Sequence, residues 1–130
     1  MKAANSAPVF ACLYPGLCDV ARAHGYALAV HGSVATDLDL IAIPWTDEAV
    51  SADEVKDALM AHIGACGYSD LLRRDGLPED QVQQIMARKE SRLLDGSEVK
   101  PHGRRSWNLY MGAGMKVDLS VMPATKEAKP

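Results

Sequence analysis

Aromatic residues are scarce, with one Phe, two Trp and four Tyr in 130 residues. The core must therefore be built mainly from Leu, Val, Ile, Ala and Met. Cysteine is scarcer still. Cys12, Cys18 and Cys66 are an odd number without a C-x-x-C spacing. They read as small buried hydrophobes in a reducing compartment, not as a disulfide frame or a zinc site. No apolar run approaches the ~18 residues of a membrane span, and no long apolar stretch precedes Pro15. No membrane partner is expected, and the expected location is cytoplasmic. A basic excess is also missing: the net charge is −3, which argues against a nucleic-acid coat protein. The histidine pairs of zinc enzymes, a Walker loop and a Ser-His-Asp pattern do not occur.

What is present suits one globular domain. Hydrophobic residues make up 48% of the chain, and a chain of this size buries about two-thirds of its unfolded surface. The charge is unevenly spread. Between Arg88 and Lys116 stand seven basic residues (Arg88, Lys89, Arg92, Lys100, Arg104, Arg105, Lys116) against three acidic ones. Such a stretch is either a solvated charged face or a surface that meets phosphate.

Local patterns place the elements. Pro15 suits the first turn of a helix over roughly 14–24, ended by Gly25, with residues 1–12 as a loosely held lead-in. Tyr26 to His31 and Asp37 to Pro44 read as strands. Ser51-Ala52-Asp53-Glu54 is a capping box opening a helix that Gly67 closes. A third helix is expected from Pro78 to Leu94, with Val82, Ile85, Met86, Lys89 and Leu93 on its inner side. Arg104–Met111 and Met115–Met122 should form a hairpin around Gly112-Ala113-Gly114. Ala124 to Pro130 reads as a solvated tail, leaving 1–123 as the domain. The order predicts a single-domain α+β fold with one mixed sheet and helices packed on one side of it.

Two segments carry chemistry. In His31-Gly32-Ser33-Val34-Ala35-Thr36-Asp37-Leu38-Asp39-Leu40, the two acids lie two apart on a strand. Their side chains share one face, with Cα atoms roughly 6–7 Å apart. The expected place is the core-facing half of the sheet or a cleft at its end. Two like charges so close require either a neutral partner or a cation between them. Mg²⁺ suits such oxygen donors. A third acid, Asp118, sits in the apolar strand Lys116-Val117-Asp118-Leu119-Ser120, although acids are depleted in strand interiors. Structural readings stay open: Asp37 as a cap after Thr36, and Asp118 as an edge carboxylate paired with Lys116 or Arg105.

A hydrophobic strand ending in Gly32-Ser33, then Asp37-x-Asp39 on the next strand, then Asp118 on a later one resembles the polymerase-β-type nucleotidyltransferase superfamily. The resemblance implies that Gly32 and Ser33 hold the triphosphate of an NTP. It implies that Asp37 and Asp39 bind two divalent metals, Mg²⁺ or Mn²⁺. Asp118 would then share one metal and help deprotonate the attacking acceptor hydroxyl. The backbone of a small residue can approach phosphate closely, and two metals can stabilise both oxygens of an in-line displacement. Members usually carry a longer linker with a short helix after Gly-Ser, whereas only Val34, Ala35 and Thr36 intervene here. The helix N-terminus that would face phosphate is then expected to be missing. The motif also resembles that of small phage and prophage proteins, a resemblance that implies no substrate.

The function expected is Mg²⁺-dependent transfer of a nucleotidyl group from an NTP to an acceptor hydroxyl on a protein, nucleic acid or other molecule. One alternative is a catalytically degenerate binding module, such as a phage or prophage accessory protein; another is a metal-dependent nuclease or phosphohydrolase. Arg104 and Arg105 could clamp phosphate or pair with Glu98 or Asp95. His31 could touch a phosphate or be a half-buried histidine, His62 reads as core, and Trp45 and Trp107 read as packing anchors.

Overall fold

The computed structural model describes residues 5–88 and 95–124, with the backbone alone for 95–98. Among these, four α-helices and five strands follow one another: α1 (Ala7–Ala23), β1 (Tyr26–His31), β2 (Asp37–Pro44), α2 (Ala52–His62), α3 (Tyr68–Arg74), α4 (Glu79–Met86), β3 (Asp95–Val99), β4 (Arg105–Gly112) and β5 (Met115–Val121). The strands form one sheet in the order β1-β2-β5-β4-β3. Only β2 and β5 run parallel; the other neighbours are antiparallel. The expected α+β class with a mixed sheet is what the chain adopts.

Period-two alternation decides which face is buried. Leu38, Leu40 and Ala42 on β2, Val117, Leu119 and Val121 on β5, and Trp107 and Leu109 on β4 are all buried. They pack against Phe10, Leu17 and Ala21 of α1 and Val55 and Leu59 of α2. Leu72 of α3 and Val82 of α4 are also buried but stand outside this cluster. These two short helices form a separate small layer, joined by Arg73, which donates to both carboxylate oxygens of Glu79 and to Asp70. The backbone of Cys66 pairs with Tyr110 and docks the start of this layer on β4.

The N-terminal segment departs from expectation. It is helical from Ala7, and Phe10 is buried at 1% exposure. Pro15 lies inside the helix, not in its first turn. An internal proline costs about 3 kcal/mol of helix stability, and burial of Phe10 and Leu17 on either side offsets it. The backbone N–H of Ser6 also donates to the Ala35 carbonyl at 2.6 Å, tying the helix start to the loop after β1. Gly25 ends the helix at φ 87 as expected.

The second helix stops earlier than Gly67. Gly64 takes φ 65, its N–H bonds Ala61 O, and Ala65 N–H bonds Met60 O. This double return satisfies the last carbonyls and ends the helix. At its start, Ser51 Oγ accepts from Glu54 N–H and donates to the Glu54 carboxylate. The expected box forms with its second bond rearranged. α3 and β3 were not foreseen. α4 ends at Met86, short of Leu94, and 89–94 lie outside the described residues. Ala124, assigned to a solvated tail, is buried, and 125–130 lie outside the described residues.

Two stability measurements check this packing. Phe10→Ala should lower unfolding stability by about 3–5 kcal/mol, as expected for deleting a core aromatic, and denaturant titration reads it directly. At the β4–β5 turn Ala113 takes φ 54 before Gly114 at φ 77, a conformation that prefers Asn-Gly. Ala113→Asn should therefore raise the melting temperature by a few degrees, on the order of 0.5–1 kcal/mol. No rise would mean that this turn holds no strain.

Candidate functional site

The face of the sheet opposite α1 and α2 carries the acids. Register does this work. On β1 and β2, His31 pairs with Asp39; on β2 and β5, Asp39 pairs with Asp118; on β5 and β4, Asp118 pairs with Asn108. Register partners point to the same side of a sheet, and neighbouring strands lie roughly 4.7–4.9 Å apart. The four side chains thus make one row across four strands. A second row, one step toward the hairpin end, runs Asp37, Lys116, Tyr110. The three predicted acids share one face, but it is the face away from the main core. The core-facing alternative was wrong because Leu38 and Leu40 occupy that side.

Electrostatics confirm that Asp39 and Asp118 feel each other. Burial, and after it the Asp39 charge, push the Asp118 carboxyl above its ordinary value, while Lys116, Lys100 and His31 pull it back. Lys116 lies 4.0 Å from its register partner Asp37, so the lysine proposed as a partner for Asp118 pairs with Asp37 and acts on Asp118 only through its charge. Tyr110 is raised too, by burial first, then by Tyr68 and by the charges of Asp118 and Asp37. The acids are therefore ringed by basic groups from β1, β5 and the β3–β4 loop.

Gly32 stands beside this row at φ 78, and a Cβ there would collide with the Asp39 carboxylate. Only glycine lets the chain turn under that acid. Ser33 is exposed; its Oγ accepts from Ala35 N–H at 3.5 Å. Val34 follows at φ 54, a strained conformation for a β-branched residue. It is half-buried against the main core, which holds it there. Residues 32–36 contain no helix, as the short linker led one to expect.

Other candidates fall elsewhere. Arg105 pairs with Asp53 of α2 at 2.7 Å and lies over the Trp107 ring, on the opposite face from the acids. Arg104 remains on the acid face, donating to Ser120 Oγ at 3.1 Å. The side chains of Asp95 and Glu98, once weighed as partners, lie outside the described residues. His62, expected in the core, is instead exposed at the end of α2, with its ring against Gly16 of α1. Trp107 is a packing anchor, whereas Trp45 is 79% exposed.

Family models, curated proteins and solved structures offer no match to this chain. Its own geometry must carry the chemistry.

Among the described residues, no three His, Cys, Asp or Glu side chains converge as a ready-made metal cage. Magnesium does not need one, because it commonly uses one or two carboxylates together with waters and substrate phosphates. The donor set here fits that habit. Asn108, which sequence reading overlooked, has a buried Oδ1 with no hydrogen-bond partner, and buried polar oxygens ordinarily find one. It is the register partner of Asp118. The overlooked signal was a polar residue at the alternating position of an apolar strand.

The raised Asp118 carboxyl makes a signed prediction. A carboxyl pushed up in the folded state binds its proton more tightly there, so stability falls as pH rises from the ordinary carboxylate value toward the raised one. Asp118→Asn removes this penalty. The variant should melt higher than wild type at pH 7, and the gain should vanish below about pH 3.9. Melting curves across pH test it; an equal gain at all pH values would mean that the Asp118 carboxyl is not raised in the folded state.

Proposed function

We propose that the acid face is a divalent-metal and nucleotide site of nucleotidyltransferase type, moving a nucleotidyl group from an NTP to an acceptor hydroxyl. The observation that carries this reading is the registration of Asp39 against Asp118, with Gly32 turned beneath Asp39. Asp37, Asp39 and Asp118 would hold Mg²⁺ or Mn²⁺, with Asn108 Oδ1 within the same row. The bound ion supplies positive charge to the phosphate oxygens. The protein's own groups then have separate tasks. Backbone around Gly32 and Ser33 cradles the β- and γ-phosphates, and Lys116 and Lys100 add positive charge to the same face. The acceptor oxygen bonds to the α-phosphorus as the α–β bridging bond breaks, and pyrophosphate leaves. Asp118 takes the hydroxyl proton, a role suited to a carboxylate whose affinity for protons is raised.

The bare loop from Ser33 to Thr36, with no helix to face phosphate, favours a second reading in which the fold binds nucleotide without transferring it. Titration of Mg²⁺–ATP and of the other NTPs, followed by calorimetry and melting temperature, addresses both. Wild type should bind and melt higher with ligand. Asp39→Ala should weaken Mg²⁺–NTP binding at least tenfold while keeping the fold, and Asp37→Ala should act in the same direction. Binding like wild type in both variants would refute the site. Binding without transfer of an α-phosphate label would select the second reading.

A further inference from the structure

A cavity of about 350 Å³ opens beside the acid face, lined by Leu71 of α3, by Asp75 just after it, and by Tyr110, Met115, Lys116 and the Ala113–Gly114 turn. Its volume lies within the range of small-molecule sites. Tyr110 and Lys116 belong to the row that contains Asp37, so the cavity continues the site across β5 and β4. The Tyr68 ring packs against Tyr110 with centroids 5.7 Å apart, which holds the Tyr110 ring in place.

In-line displacement decides what such a position is for. The attacking oxygen approaches from the side opposite the leaving group. With the β- and γ-phosphates at Gly32–Ser33, beyond the β1 edge of the acids, the attacking hydroxyl comes from the β4 edge. That edge is where Tyr110 and the cavity lie.

We infer that this cavity is the acceptor subsite and that it takes a small hydroxylated ring compound, neutral or cationic, in preference to a polynucleotide; this rests on the transferase reading above. Leu71, Met115 and the Tyr110 ring supply apolar and aromatic surface for a ring face. Asp75 and Lys116 supply two polar groups at its wall. A nucleic-acid strand needs several cations along its phosphates. Among the described residues lining the cavity the cation is Lys116, which lies 4.0 Å from Asp37, and Asp75 repels phosphate.

The experiment has two arms. Saturation-transfer NMR without nucleotide is recorded for adenosine, myo-inositol, glucosamine and a twelve-nucleotide single strand. The same four are then offered as acceptors with Mg²⁺ and α-phosphate-labelled ATP. At least one ring compound should contact the protein and take up label, and the strand should not. Leu71→Trp, which fills the cavity, should reduce both signals at least tenfold. Asp75→Trp, at an exposed helix end, does the same should Leu71→Trp not fold. Wild-type Mg²⁺–ATP binding with no contact from any ring compound, preferential labelling of the strand, or undiminished signals in the filled variants would overturn the subsite and leave the nucleotide site standing. Contact from ring compounds without any Mg²⁺–ATP binding would instead overturn the transferase reading, and the acceptor role with it.

Discussion

Two like charges held side by side on parallel strands are the constraint around which this molecule is arranged. Asp39 and Asp118 stand opposite each other across the β2–β5 pairing, on the same face of the sheet. The strands cannot slip, because a one-residue shift would carry Leu38, Leu40, Val117 and Leu119 out of the core. Hydrophobic burial therefore fixes an electrostatically unfavourable pair in place. Burial first, and the Asp39 charge after it, hold the Asp118 carboxyl above its ordinary value.

The surroundings relieve the conflict in part. Lys116 lies against Asp37, and His31 and Lys100 bring positive charge toward Asp118. None of these groups forms a tight ion pair with the Asp39–Asp118 couple. Carboxylates left partly uncompensated by their own chain are those that a nearby cation would stabilise most. Gly32 belongs to the same design, because any side chain there would displace the Asp39 carboxylate. Val34, strained and half-buried, keeps the turn against the core, and the Ser6 bond to Ala35 anchors it to α1. A loop held by packing on one side and by a helix start on the other can present its backbone in one conformation.

Much of this was legible in the residues. β1 and β2 begin and end where the alternation and Pro44 place them, and the β4–β5 hairpin turns at its glycines. The helix reaching back to Ala7 was hidden because Pro15 looks like a beginning, and only burial of Phe10 upstream reveals otherwise. α3 was hidden because its seven residues are too short to show a period and Leu72 alone is buried. Asn108 and Tyr110 escaped notice for a related reason. They become interesting only when β4 is laid beside β5.

By itself the chain determined β1, β2, β4 and β5, the turns at Gly25 and Gly112–Gly114, and the fact that Asp37 and Asp39 share a face, because each follows from backbone geometry over a few neighbouring residues. Which face that is, who stands opposite Asp118, and whether Lys116 or Arg105 comes near were settled only by tertiary structure. Strand order and register are set by how the whole apolar surface is buried, a sum over distant segments that no local pattern contains. Arg105 makes the point: one residue from Arg104, it is drawn to Asp53 across the core side, and alternation sends its neighbour to Ser120 on the other face.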